Sequence, residues 1–270
     1  MTDRVLLGAV AYDAKVIPIW EGIIDHFRGA LVEMDVVWFS NYPAQVRALL
    51  DGWIDVGWNT NLAYVRVHRA TDGRARVLAM RDTDVGFRTL LVGRGELEGA
   101  NDLRGRTLAL GSADSAQAAI MPVHYLGREG LSPGSDVALL RFDTDVGKHG
   151  DTGRSEREAV AAVLRGEADA AAVGAASWDV FVRGGDVPPG RLRPFWTSPP
   201  YNHCNFTARP TLPAEVATAW SARLFEMEWA NPQHRRILQL EGLREWIAPE
   251  LDGYRDVFDA VIDQGMADAS

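Results

Sequence analysis

LRGRTLALGSADSAQAAIMPVHYLGREGL, Leu103–Leu131, holds the alternation that decides the fold. Thr107-Leu-Ala-Leu-Gly111 is a short continuous apolar run, the pattern of a parallel strand covered on both faces. A polar turn follows at Ser112-Ala-Asp-Ser115. Ile120, Val123 and Leu126 then recur at helical spacing, and the stripe ends near Gly130. One stretch therefore contains strand, loop and helix.

The same alternation runs along most of the chain. Strands are expected at Val5–Val10, Met34–Ser40, Asp55–Asn59, Arg76–Arg81, Thr89–Arg94, Thr107–Gly111, Val137–Phe142, Ala168–Gly174 and Leu192–Thr197. Ser155-Glu-Arg-Glu158 has the spacing of a capping box ahead of Val160, Val163 and Leu164, with Gly166 as the stop. Pro213 suits a first helical turn, with Val216, Trp220, Leu224 and Met227 on one face. After Phe206-Thr-Ala-Arg209 the pattern is helical only. Trp20, Trp38 and Trp53 fit core or amphipathic packing better than a stacking platform. The fold class is α/β with mostly parallel sheets.

Two strands, near 89–94 and 192–199, bracket a middle block. The organisation expected is a discontinuous first lobe, residues 1–88 and 200–270, with residues 89–199 inserted as a second lobe. The cleft between them is the default ligand site.

Composition narrows the function. A net charge of −9 over 270 residues, with no stripe of Lys and Arg, excludes a non-specific nucleic-acid surface. No run approaches the roughly 18 apolar residues that cross a membrane, so no membrane insertion is expected. The single cysteine, Cys204, rules out an intramolecular disulfide. MTDRVLLGAVAYD enters a strand at about Val5, which points to a cytoplasmic chain as written, or a periplasmic or extracellular one if a leader has been removed. Oligomeric state is not legible.

DGWIDVGWNTNLAYVRV (51–67), the opening stretch and RLRPFWTSPPYNHCNFTARPTLP (191–213) together resemble the type 2 periplasmic-binding-protein superfamily. The likeness is to its phosphate/phosphite/phosphonate-binding branch and extends over roughly residues 4–250. The resemblance implies two α/β lobes joined by two hinge strands, C-terminal helices packed on lobe 1, and a ligand enclosed by hinge bending. An ABC permease is the implied partner if the chain is exported. Matched positions differ from the phosphonate binders: Trp58 is followed by Asn59 instead of an aromatic. The hydroxyl run falls on Ser115, Ala116 and Gln117. The ligand-contacting histidine falls on His149 of VGKHGD, and the late carboxylate on or beside Cys204.

Each candidate has a plain structural alternative. Ser112, Asp114, Ser115 and Gln117 open a helix whose free N–H groups attract anions, yet Asp114 or Ser115 could simply cap it. Asp114 opposes a dianion and favours a monoanion, zwitterion or polar neutral ligand. Lys148 and His149 lie at the carboxyl end of a strand, where open α/β sheets bind ligands. Asn59, Thr60 and Asn61 close the third strand, and Tyr12 and Asp13 follow the first; each group suits ligand contact or local capping.

Pro199-Pro200 fixes an extended segment, and the layout that the resemblance implies places Tyr201, His203, Cys204 and Asn205 near the cleft. Side chains on an extended segment alternate, so Cys204 and His203 are not expected to pair. His149 is then the expected base if Cys204 is a nucleophile or acid/base.

Two functions remain open. One is a binder of a small polar or anionic metabolite. The other is a cofactor-independent enzyme of lyase, decarboxylase or hydrolase type, with Cys204, His149 and His203 as the catalytic set. His149, Asp151, His203 and Cys204 lack short metal-ligand spacing, so no metal is expected, nor any other cofactor.

Overall fold

The structure, a computed structural model, describes residues 3–148 and 153–268. The chain divides into two compact units: residues 1–86 with 202–270, and residues 87–201. It passes between them at Gly86–Phe87 and Tyr201–Asn202.

Unit 1 contains β1 (Asp3–Val10), α1 (Val16–Phe27), β2 (Val32–Phe39), α2 (Tyr42–Leu50), β3 (Val56–Asn59), α3 (Asn61–Ala70) and β4 (Arg76–Arg81). Unit 2 contains β5 (Thr89–Gly93), β6 (Thr107–Leu110), α4 (Met121–Arg128), β7 (Ala138–Arg141), α5 (Arg154–Arg165), β8 (Ala170–Gly174), α6 (Ala175–Gly184) and β9 (Arg193–Thr197). Unit 1 resumes with β10 (Asn205–Ala208), α7 (Ala214–Phe225), α8 (Pro232–Glu241), β11 (Trp246–Ile247) and α9 (Arg255–Asp263).

The sheet of unit 1 has the order β11-β4-β10-β3-β1-β2. β1 is parallel to β2 and β3, whereas β10 lies antiparallel between β3 and β4. The sheet of unit 2 has the order β7-β6-β8-β5-β9, with β6 parallel to β7 and β8. The mainly parallel α/β expectation holds for β1–β3 in unit 1 and for β6–β8 in unit 2, whereas β5 pairs antiparallel with β8 and β9. Two strands went unread in the sequence. β10 is four residues long with Asn and Thr among them, and β11 has only two residues, so neither carries a readable period.

The apolar stripes are buried as their spacing demands. Val216, Trp220, Leu224 and Met227 all enter the core of unit 1. Trp220 is fully buried, stacked on Phe27 at 5.5 Å and edge-on to Phe206 at 5.1 Å. α8 packs on α1, and α9 on α3, so the C-terminal helices cover the sheet of unit 1.

The capping box at Ser155 is not formed. Gly153, in the left-handed region at φ 61°, starts the helix earlier and puts Ser155 inside its first turn. Glu158 instead accepts from Thr144 Oγ1 at 2.5 Å. Gly166 ends the helix at φ 82°, as expected. Trp20 is core, but Trp53 is 75% exposed and Trp38 lies partly open on β2.

Replacing Trp220 with Ala removes two ring contacts and leaves a cavity, at a cost of about 3–5 kcal/mol. The check is a urea titration, in which the midpoint falls with little change in slope.

Candidate functional site

The topology of unit 1 collects three loops at one edge of its sheet. β1 and β3 are parallel, so their carboxyl ends share that edge, and antiparallel β10 begins there. Tyr12 and Asp13 follow β1, Asn59–Asn61 close β3, and Asn202–Cys204 lead into β10. Asn59 and Asn205 face each other across the ladder. Carboxyl strand ends are where open α/β sheets place ligands.

The amides at this edge are oriented by partners that can only accept. Gln45 Nε2 donates to the Trp58 carbonyl at 2.8 Å and to Asn59 Oδ1 at 2.9 Å. A carbonyl offers no proton, so the Gln45 amide has one orientation, and Asn59 is left with its NH2 group. Asn61 Nδ2 donates to the Asn202 carbonyl at 2.6 Å, which leaves Asn61 its Oδ1. Thr60 is the N-cap of α3, yet its hydroxyl makes no capping bond. Among the described residues, Asn59 Nδ2, Thr60 Oγ1 and Asn61 Oδ1 are buried with no hydrogen-bond partner. Gln45 Oε1 beside them is in the same state.

Asp84 organises the neighbouring cluster. Its carboxylate takes Arg81 Nε at 2.7 Å and Nη2 at 2.9 Å, and the Cys204 N–H at 3.1 Å. Its backbone carbonyl takes the His203 N–H at 2.8 Å. His203 Nδ1 lies 3.4 Å from Asp84 Oδ1 and 3.1 Å from Cys204 Sγ.

The expectation that His203 and Cys204 point apart is therefore corrected. Both precede β10 and are held by Asp84, so strand alternation does not govern them. Asp84, His203 and Cys204 could bring three ligand atoms to a metal, all within 4.8 Å of one another. Arg81 and the Cys204 N–H already occupy the Asp84 lone pairs, however, so the cluster reads as a buried ion pair with satellites.

Burial alone would raise the Asp84 carboxyl. The Arg81 charge and the bonds from His203 and Arg81 outweigh it and bring the group from 3.8 to about 2. Tyr254, held well above its ordinary 10 by burial, stays protonated. It donates to the His203 carbonyl at 2.9 Å and accepts from Asn205 Nδ2 at 2.9 Å.

In unit 2 the loop after β6 is tied to the segment after β7 by several hydrogen bonds. Asp143 Oδ1 takes the Ala113 N–H at 2.8 Å, and Asp114 Oδ2 takes the Gly147 N–H at 2.7 Å. Ser112 Oγ accepts from Asp145 N at 3.2 Å, and Ser115 Oγ caps Ala118 N at 3.3 Å. The Gln117 carbonyl accepts from Thr89 Oγ1 at 3.0 Å; that hydroxyl proton is thus committed, so Tyr201 Oη donates to Thr89 at 2.9 Å. Tyr201 is wholly buried in unit 2 and serves that network.

Unit 1 thus gathers Asn59, Thr60, His203, Cys204 and Asn205, with Tyr12 and Asp13 on the loop after β1. Unit 2 gathers Ser112, Asp114, Ser115 and Gln117 around one loop. Lys148 is exposed beside it, with its N–H on the Asp145 carbonyl at 3.0 Å. His149 and Asp151 lie outside the described residues. Asp84, Arg81 and Tyr254 were not foreseen; the Arg81-x-x-Asp84 spacing looks like a surface pair until β10 covers it.

The family profile matching residues 11–254 is described as "ABC transporter, phosphonate, periplasmic substrate-binding protein". The chain belongs to this family. A probable ABC transporter phosphite binding protein of Prochlorococcus marinus is 23% identical over 238 residues, covering 84% of this chain and 77% of the relative. The solved structure of PhnD1 from Prochlorococcus marinus with methylphosphonate superposes with a TM-score of 0.75 at 19% identity, over 98% of this chain and 100% of that one. A Xanthomonas citri protein bound to ATP gives a TM-score of 0.76 at 18% identity, over 97% and 98% of the two chains. The fold is thus the two-lobed periplasmic-binding-protein fold. The enzymatic alternative built on Cys204 and His149 finds no support in these comparisons, nor does a cytoplasmic location in a family described as periplasmic. No helix among the described residues is long and apolar enough to cross a membrane.

Asp84→Asn leaves the Arg81 guanidinium buried against a neutral amide and costs about 3–5 kcal/mol. Because the folded carboxyl is depressed, its contribution is complete above about pH 4 and lost as pH falls toward about 2. Urea titrations from pH 7 to 2 check this. The wild type should lose stability across that window, and Asp84→Asn should lack that part of the fall.

Proposed function

We propose that this chain is the substrate-binding component of an ABC importer, closing on a small polar or anionic metabolite between its two units. Family membership supports the class of protein. The observation that carries the site is the unpartnered set at the start of α3, where three consecutive buried residues each leave one polar atom unbonded. A buried unpaired polar group costs about 1–3 kcal/mol. Three in a row are explained if a ligand supplies the missing partners. Trp220 Nε1 and Trp246 Nε1 are also unpartnered, but as single indoles in an apolar core.

In this reading Asn59 and Thr60, with Tyr12 and Asp13 nearby, form the contacts from unit 1. Ser112, Asp114, Ser115, Gln117 and Lys148 provide those from unit 2. Gly86–Phe87 and Tyr201–Asn202 are the hinge crossings. His203, Cys204 and Asn205 hold the wall of the site, and Tyr201 braces unit 2. The partner is a membrane permease.

Native mass spectrometry of the full-length protein should detect a retained small molecule. Thr60→Val should weaken its binding about tenfold, the loss of roughly one hydrogen bond from a buried site. Absence of any retained molecule, with no thermal shift in a metabolite extract, would sink the proposal.

A further inference from the structure

The polarity of the free atoms at the start of α3 carries information about what binds there. Their orientation follows from acceptor-only partners: the Trp58 carbonyl fixes Gln45 and through it Asn59, and the Asn202 carbonyl fixes Asn61. The result is a donor at Asn59 Nδ2, an acceptor at Asn61 Oδ1, and between them the Thr60 hydroxyl, which does either. A fully ionised phosphonate, phosphate or sulfonate presents oxygen lone pairs alone. It satisfies Asn59 and Thr60 and sets its negative charge against the carbonyl oxygen of Asn61. A group that combines an N–H with a neighbouring oxygen satisfies all three.

Unit 2 bears on the same question. Two backbone donors of its loop are already held by the chain's own carboxylates, Ala113 N by Asp143 and Gly147 N by Asp114. Ser112 and Ser115 each already accept an N–H, so each hydroxyl has a single proton left to offer. Two hydroxyl protons match a carboxylate or carbonyl better than the three oxygens of a phosphonate.

We infer that the ligand carries an N–H donor beside an oxygen acceptor, as a small zwitterionic amino compound or a primary amide does, and is not a simple phosphonate or phosphate. The inference rests on the ligand site proposed above and specifies its substrate class.

Thermal shift of the full-length protein at neutral pH, followed by calorimetric titration, tests it. The nitrogen probes are β-alanine, glycinamide and L-asparagine, and the oxyanion probes are methylphosphonate and inorganic phosphate. At least one nitrogen probe should stabilise the protein, and neither oxyanion should do so at a tenfold higher dose, roughly the discrimination one mismatched hydrogen bond gives. Thr60→Ser should keep that binding within about threefold, and Thr60→Val should lose about tenfold or more.

Stabilisation by methylphosphonate or phosphate beyond every nitrogen probe overturns the substrate class and leaves the binding function standing. If no probe acts, the retained molecule decides: one bearing N–H supports the inference, and one without it overturns it. No response together with no retained molecule removes the binding function itself.

Discussion

The Asp84 carboxylate is the constraint on which the rest of unit 1 depends. It lies just before the chain first leaves the unit and is met by residues just after the chain returns. Arg81, at the end of β4, neutralises it, the Cys204 N–H closes on it from the other segment, and the His203 N–H bonds the Asp84 backbone carbonyl beside it. Residues separated by more than a hundred positions are thereby fixed at one point, and β10 is launched into the gap between β3 and β4. A buried charge is tolerable only with such complete pairing. Removing a partner therefore threatens the strand order as well as a local contact.

The edge of that sheet shows a different economy. Asn59, Thr60, Asn61, Asn202 and Asn205 are neutral and buried, and their side-chain hydrogen bonds run to backbone carbonyls and to the side chains of Gln45, Thr207 and Tyr254. Several bonds are satisfied within the group, and a few polar atoms are not. Neutral amides recognise by direction of hydrogen bonding, so they discriminate ligands by pattern where a cluster of charges would discriminate by sign. Gly253 adds a steric condition. A Cβ there would overlap the Asn202 side-chain amide, and Asn202 both donates to the Glu250 carbonyl and accepts from Asn61.

Much of the fold was legible because it is written in periodicity. Thr107–Leu110, Arg76–Arg81 and the Val216–Met227 stripe declare themselves locally. β10 did not, because its strand character comes from two neighbours and not from its own four residues. The candidate site was legible by type at Asn59, Thr60 and Asn61, where polar residues end a strand and open a helix. Asp84 was not, since an acidic residue in RDTDVG looks solvated until residues 203–204 arrive. The pairing of Cys204 with His203 was misread for a related reason: alternation applies inside a ladder, and these two residues stand just outside it. At Ser155 a capping pattern was present, but a left-handed Gly153 had already begun the helix.

The proposed function turns on the polar atoms left open at Asn59, Thr60 and Asn61, which a bound ligand would complete. A crystal structure of the protein with its co-purified small molecule is the most direct measurement. The account predicts ligand atoms within about 3.2 Å of Thr60 Oγ1, Asn59 Nδ2 and Asn61 Oδ1, with an N–H facing the last. A bound molecule elsewhere in the protein, with those three atoms still unpartnered, would contradict it.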